Sequence, residues 1–221
     1  MDLSALTHSP IHLLDVGTQV VNYLPLDLTE DSAFLARFQP QTASDYEQAI
    51  DRYLLEHRAQ VAWGGYLERR NLYRRSPLFQ ETESPRNIHL GIDLWAPANT
   101  PVLTAWEGKV HSFAYNDNWG DYGPTIILEH TYNETKFYTL YGHLSLLSLE
   151  QLAEGQAVKA GQVIGSLGTA EVNGDYAPHL HFQVILNLQG KRGDYPGVCR
   201  MSELEFYRTN CPDPNLLLKI K

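Results

Sequence analysis

The chain has 221 residues, of which 43% are hydrophobic and 19% charged, and its formal net charge is −9. This composition is typical of a globular protein with a substantial core, and the length suits one domain with an extension or two small domains. The acidic balance and the lack of a lysine- or arginine-rich block argue against a nucleic-acid partner. No run approaches the roughly 18 apolar residues of a membrane span.

The N-terminal sequence bears on the cellular compartment. Residues 1–17 lack the basic segment and long apolar stretch of a secretory signal. We therefore expect a cytoplasmic protein, or a periplasmic or secreted one if the sequence has been trimmed. In the cytoplasm, Cys199 and Cys211 are expected to be free thiols.

Residues 1–80 are predicted to form a mainly helical N-terminal extension. A short helix is expected around Asp31–Phe38. A longer one is expected from Ser44, which forms a capping-box pattern with Glu47 and precedes apolar residues at helical spacing. The stretch "YLERRNLYRRSPLF" (66–79) follows, and its four arginines are expected to form a solvated or salt-bridged face.

Residues 81–190 are predicted to form a β domain, and residues 191–221 a turn-rich C-terminal tail. Short β-branched and aromatic runs alternate with Gly, Pro, Asn and Asp turns from Arg86 onward. This spacing is typical of an antiparallel sheet in a sandwich or partly open barrel. The predicted fold class is therefore a β-rich α+β protein whose sheet domain follows a helical N-terminal region.

Four histidines and one aspartate in the β region form a combination that indicates a metal site. "HLGID" places His89 four residues before Asp93, "YGHL" contains His143, and "HLH" puts His179 and His181 on one strand face. Each motif alone has an ordinary structural explanation, such as a turn hydrogen bond or a solvated face. Together they offer what catalytic zinc requires, which is three N or O ligands and an open position for a water of pKa about 7. Spacing alone does not decide which histidine of "HLH" is a ligand.

The whole motif set resembles the lysostaphin/LytM-type zinc endopeptidases. The segments "NIHLGIDLWAPANTPVLTAWEGKV", "GPTIILEH", "FYTLYGHL", "EGQAVKAGQVIGSLG" and "APHLHFQV" occur in that family's order, over roughly residues 86–186. The resemblance implies a β-rich peptidase domain with a groove and one Zn²⁺ at its floor. It implies His89, Asp93 and His181 as metal ligands and His143 and His179 as catalytic residues. It also implies hydrolysis of peptide bonds, mostly in peptidoglycan.

Further residues of the β region are assigned by their positions relative to these motifs. Tyr141, Asp121 and Tyr122 are expected to contact substrate, although Tyr141 could instead pack in the core. His111 and His130 lie in strands and are expected to be structural. Carboxylates at the groove rim would favour a substrate with a free amine: Asp117, Asp121 and Asp175.

The leading functional hypothesis is a zinc metallopeptidase acting on peptide or peptidoglycan-like substrates. One alternative is a cytoplasmic metallo-hydrolase of a small peptide or amide metabolite, which the missing signal favours. The other is a non-catalytic peptide-binding module, which the presence of all five site residues disfavours. The sequence does not predict an oligomeric state.

Overall fold

A computed structural model describes residues 3–70 and 85–221 of the chain. The strands in chain order are β1 (Tyr23–Pro25), β2 (Val61–Gly64), β3 (Ile88–His89), β4 (Ile92–Trp95), β5 (Pro101–Leu103), β6 (Gly108–Asn116), β7 (Gly123–Tyr132), β8 (Thr135–Gly142), β9 (Ala157–Val158), β10 (Val163–Ser166), β11 (His179–Ile185) and β12 (Val198–Cys199). The helices are α1 (Ala33–Phe38), α2 (Ala43–His57), α3 (Leu204–Asn210) and α4 (Asn215–Leu218). Short 3-10 turns cover Leu3–Ala5, Leu146–Leu149 and Met201–Glu203.

Eight strands form the main sheet, in the order β1-β2-β4-β11-β8-β7-β6-β9. All neighbouring strands in it are antiparallel except β1 and β2, which are parallel. Two smaller antiparallel sheets pair β10 with β5 and β12 with β3. The predicted β-rich, mainly antiparallel fold class is thus confirmed.

Strand β11 lies in the middle of this sheet and separates the core from the site. Because successive side chains alternate between faces, Leu180 and Phe182 face the main core while His179 and His181 face the other side. Every residue of β11 is buried. The two histidines that the sequence places in an apolar run are therefore on a covered face and not on a solvated one.

The N-terminal region contains the two expected helices and adds two strands to the sheet. Helix α2 packs Ala49, Ile50 and Leu54 in a cluster with residues of the sheet. It begins two residues earlier at its cap than predicted, because the Thr42 hydroxyl accepts from the backbone N–H of Asp45 and the Asp45 carboxylate accepts from that of Thr42. The predicted Ser44–Glu47 box was therefore wrong by two residues, and the pair that forms has aspartate in place of the usual glutamate or glutamine.

The predicted arginine face requires a correction at Arg70. This side chain is 2% exposed and forms ion pairs with two carboxylates, one of which is Asp93. Arg70 is salt-bridged, as one form of the prediction had it, but its ion pairs lie inside the protein and not on its surface. Arg74 and Arg75 lie outside the described residues.

Both terminal regions share the main core with the sheet. Leu3, Leu13 and Leu14 belong to this core, and so do Leu217 and Leu218 from α4. The boundaries at residues 80 and 190 therefore separate parts of the sequence that pack together. Among residues 3–70 and 85–221, no helix has the length and apolar character needed to cross a bilayer.

Candidate metal centre

Three potential ligands converge from three strands. His89 ends β3 and Asp93 lies in β4, after the tight turn at Gly91, while His181 of β11 lies opposite Asp93 in the strand register. The distances are 2.9 Å from His89 Nε2 to His181 Nδ1, 3.1 Å from His181 Nδ1 to Asp93 Oδ1, and 3.3 Å from His89 Nε2 to Asp93 Oδ1. Ligands at zinc–ligand distances near 2.0 Å in a tetrahedron lie about 3.3 Å apart. The donor set and its spacing thus fit a zinc ion.

The close approach of the imidazoles depends on the glycine between the first two ligands. A Cβ atom at Gly91 would lie 2.7 Å from the ring of His181. A side chain at this position would therefore displace His181 from its place beside His89 and Asp93. The glycine of the "HLGID" motif thus leaves room for the third ligand.

Burial and neighbouring charges set the protonation states of His89 and Asp93. His89, Asp93 and His181 are each at most 2% exposed. Burial lowers the pKa of His89 to about 4, against the opposing attraction of Asp93. Burial alone would raise the pKa of Asp93, but the neighbouring His89 and Arg70 outweigh it and hold that pKa well below its usual value. A neutral imidazole and an ionised carboxylate are the protonation states that a metal ion requires.

His143 and His179 lie beside this cluster with one nitrogen each committed to the backbone. His143 Nδ1 donates to the carbonyl of Asn173 at 2.7 Å, and His179 Nδ1 donates to that of Ala177 at 2.8 Å. Each Nε2 is then left without a proton, and that of His179 lies 3.9 Å from Asp93 Oδ1. Burial lowers both pKa values, and that of His143 is lowered further by His179 and His181. Both imidazoles are therefore neutral proton acceptors near pH 7.

Each of the three potential ligands is held by a second residue, none of which the sequence reading identified. His89 Nδ1 donates to the carbonyl of Gly65 at 2.9 Å, Arg70 donates to Asp93 Oδ2, and His181 Nε2 donates to Gln183 Oε1 at 3.0 Å. Gln183 could have been found, because a residue two positions after His181 in a strand shares its face. No local pattern marks Gly65 or Arg70 as neighbours of the site.

A cavity of about 310 Å³ opens next to these residues. Two of the three residues expected to contact substrate are among its lining residues. Asp121 and Tyr122 line it, and the Tyr122 hydroxyl lies 3.4 Å from His181 Nε2. The structure places Tyr141 in the core instead. Tyr141 is fully buried opposite Phe182, and its hydroxyl accepts from the backbone N–H of Ala105.

Negative and positive side chains both line the cavity, so the expectation of an acidic rim was wrong. Of the three rim carboxylates expected, only Asp121 is among the lining residues, where Asp93 of the metal centre and Asp194 of the tail join it. Cationic side chains also contribute to the lining: Arg70, Arg86 and Lys191. The rim therefore gives no charge preference for an amine.

The other two histidines of the sheet have partners away from the cavity. His130 is buried, with Nδ1 donating to the carbonyl of Glu107 at 2.8 Å and Nε2 accepting from the Thr139 hydroxyl at 2.7 Å. His111 Nδ1 lies 2.8 Å from the Ser112 hydroxyl. These contacts fit the structural roles expected of both residues.

Comparison with known proteins identifies the family. Residues 87–193 match the model of peptidase family M23. The peptidoglycan DD-endopeptidase ShyC of Vibrio cholerae is 34% identical over 52% of this chain and 27% of its own length. The DD-carboxypeptidase/endopeptidase Mpg of Neisseria meningitidis is 33% identical over 53% of this chain and 24% of its own length. This chain thus spans about a quarter of these curated relatives.

Among solved structures, the catalytic domain of lysostaphin from Staphylococcus simulans is similar to this chain. The identity is 28% and the TM-score is 0.44, with 61% of this chain and 81% of that one covered. Lysostaphin of the same species is also 33% identical in sequence over 45% of this chain and 18% of its own length. The family match, the sequence relatives and the convergence of the motif residues confirm the predicted resemblance. Over residues 87–193, this chain thus matches peptidase family M23.

Proposed function

We propose that this protein is a zinc-dependent endopeptidase that hydrolyses peptide bonds of peptidoglycan-type peptides. The observation that carries the proposal is the convergence of His89 Nε2, Asp93 Oδ1 and His181 Nδ1 to within 3.3 Å of one another. The proposal also draws on the relatives, two of which are named endopeptidases. Zinc, when bound, polarises a carbonyl and lowers the pKa of water at its open position to about 7.

The roles of the neighbouring imidazoles follow from their hydrogen bonds. His143 and His179 each keep Nδ1 bonded to a backbone carbonyl, so each Nε2 is free to accept a proton. One imidazole can take the proton of the attacking water at Nε2 and return it to the leaving amine, while the other, which is also neutral, can accept a hydrogen bond at Nε2 and so orient that water. General acid–base catalysis of this kind contributes about 10²–10⁴-fold in rate.

The walls of the cavity support a short substrate as a second candidate. The N-terminal region contributes Leu28 and Tyr46 to the lining, and the tail contributes Tyr195 and Pro196. Regions outside the family match therefore enclose the groove, and its volume lies at the lower end for small-molecule sites. A di- or tripeptide, or an amide metabolite of the cytoplasm, would fit such an enclosed site.

The experiment that separates these candidates uses the zinc-loaded protein with two substrate pools. Purified cross-linked muropeptides form one pool, and a defined library of di- and tripeptides forms the other, with products identified by mass spectrometry. We expect new amine and carboxyl ends in the muropeptide pool. Turnover restricted to the short peptides would favour the second candidate. Stoichiometric zinc without any hydrolysis in either pool would contradict both and support a binding module.

A further inference from the structure

Arg70 is a buried cation that links the N-terminal region to the metal centre. Its guanidinium donates from Nε to Glu68 Oε2 and from Nη1 to Asp93 Oδ2, and only 2% of the side chain is exposed. Glu68, Arg70 and Asp93 form a row of alternating charge that is mostly buried, since the side chains of Glu68 and Asp93 are only 11% and 3% exposed. Arg70 lies outside residues 87–193, so this contact belongs to the chain and not to the matched family segment.

The ion pair divides the two oxygens of Asp93 between two tasks. Oδ2 accepts from Arg70, while Oδ1 lies 3.1 Å from His181 Nδ1 and 3.3 Å from His89 Nε2. A carboxylate held at one oxygen cannot rotate freely about its Cβ–Cγ bond. Arg70 therefore determines which oxygen faces the two imidazoles, and at what angle.

The backbone of the same short segment also holds His89. The Gly65 carbonyl accepts from His89 Nδ1, which leaves the lone pair of Nε2 directed toward Asp93 and His181. Gly65 has a φ of +105°, and a Cβ there would lie 1.9 Å from Nη2 of Arg70. Glycine is thus required both by the backbone conformation and by the packing of the guanidinium.

Backbone hydrogen bonds fix this segment against β3. Leu67 N–H donates to the carbonyl of His89, and His89 N–H donates to that of Glu68. The N–H of Arg70 donates to the carbonyl of Asn87, and Glu68 Oε1 accepts from the N–H of Leu28. The segment is therefore anchored on both sides, as a support for ligands must be.

We propose that Gly65–Arg70 is a positioning element of the metal centre, in which Arg70 orients Asp93 and thereby sets the affinity for zinc. This inference rests on the zinc site of the proposed function. Groups that hold metal ligands typically contribute 10–100-fold to metal affinity. A buried guanidinium that donates from two of its nitrogens to two different carboxylates is also an arrangement that the single ammonium of lysine cannot reproduce.

The test measures zinc affinity in Arg70 variants of the full chain. Arg70→Met removes the charge and the donors, and we expect zinc to bind about 10–100-fold more weakly in competition with a chromophoric chelator. Arg70→Lys should recover only part of this loss, because one ammonium cannot hold both carboxylates in the same geometry. The matched control is Arg52→Met, which removes a surface ion pair with Glu56 and should bind zinc as the wild type does.

Replacing zinc with cobalt(II) allows a second measurement, the visible absorption spectrum, which a general loss of stability would not change in folded protein. The visible absorption of bound cobalt reports ligand geometry, so folded Arg70→Met and Arg70→Lys should show altered spectra while Arg52→Met should not. Native zinc affinity and a native cobalt spectrum in folded Arg70→Met would overturn the proposal. If Arg70→Met does not fold, the same native result in Arg70→Lys would overturn it.

The outcomes also separate this inference from the proposed function. A wild-type protein that binds zinc, loses affinity in the Arg70 variants and yet hydrolyses nothing would support the positioning element and overturn the endopeptidase. A wild-type protein that binds no zinc would overturn both. Wild-type hydrolysis with native zinc affinity in folded Arg70→Met would overturn only the positioning element.

Discussion

The imidazole rings of His143 and His179 lie with their centroids 4.1 Å apart, and both line the cavity beside the metal-ligand cluster. Neither Nε2 is committed to a backbone partner, unlike either Nδ1. This pairing places two neutral proton acceptors next to one potential metal site, which distinguishes a catalytic arrangement from a purely structural metal site.

Changing His143 or His179 to Ala should therefore spare the metal and reduce turnover. We expect kcat to fall by about 10²–10⁴-fold, the usual contribution of positioned proton transfer. Zinc content by atomic absorption, measured on the same samples as kcat, separates the two effects. An unchanged kcat in either variant would remove that residue from the mechanism.

Changing His89, Asp93 or His181 to Ala should remove the metal itself. Two remaining ligands hold zinc weakly, so we expect metal content well below one equivalent after dialysis, together with loss of activity. The control is His179→Ala, which occupies the same strand face and should retain zinc. Full zinc in His181→Ala with loss in His179→Ala would reverse the assignment within the "HLH" motif.

The resemblance to the zinc endopeptidases predicts these five residues, and it could be recognised because short motifs carry them. His89 and Asp93 are four residues apart, and His179 and His181 are two apart, so local backbone geometry brings each pair to one place. Arg70 is 23 residues from Asp93, and their contact forms only when β2 pairs with β4. Such a long-range contact has no signature in either local stretch.

Tyr141 shows how a local rule fails at the end of a strand. Tyr141 and His143 are two residues apart, so strict alternation would put both on one face. Strand β8 ends at Gly142, however, and His143 adopts a left-handed conformation with a φ of +63°. The chain therefore turns between them, and His143 reaches the cavity while Tyr141 remains in the core.

Tyr141→Phe should consequently affect stability and not substrate recognition. The ring would keep its packing, but the backbone N–H of Ala105 would lose its acceptor, which costs about 1–3 kcal/mol for a buried donor. Urea unfolding should show this loss, with KM and kcat unchanged at a temperature where the variant is folded. Tyr122→Phe, a change at the cavity wall, provides the comparison. A raised KM in Tyr141→Phe would return that residue to the groove.

The two cysteines should be thiols that react only after unfolding. Both are free and fully buried, and burial raises the pKa of Cys199 to about 11 and that of Cys211 to about 12. The thiolate is the reactive form, so titration with Ellman's reagent at pH 8 should detect little in the native protein. It should detect two thiols per chain in denaturant. Fewer than two in denaturant would indicate a disulfide or oxidation.

His130 should make the stability of the protein depend on pH. Burial lowers the pKa of His130 to about 4, whereas an unfolded chain has a histidine pKa near 6.5. Between these values the unfolded chain binds a proton that the folded protein does not. On account of His130, the free energy of unfolding is therefore highest above about pH 6.5 and falls as the pH falls toward 4. Below pH 4, His130 changes it no further.

The matching experiment compares urea unfolding at pH 7 and pH 5 in wild type and His130→Gln. At pH 5 the wild type should have lost about 2 kcal/mol on account of His130, because each unit of separation corresponds to about 1.4 kcal/mol. Glutamine keeps a hydrogen-bond donor and an acceptor but does not titrate. The free energy of unfolding of the variant should therefore fall by about 2 kcal/mol less than that of the wild type between pH 7 and pH 5. The buried histidines of the metal centre contribute equally to both proteins, and the exposed His57→Gln serves as the control. An identical pH dependence in His130→Gln and wild type would show that His130 is not held neutral by its burial between Glu107 and Thr139.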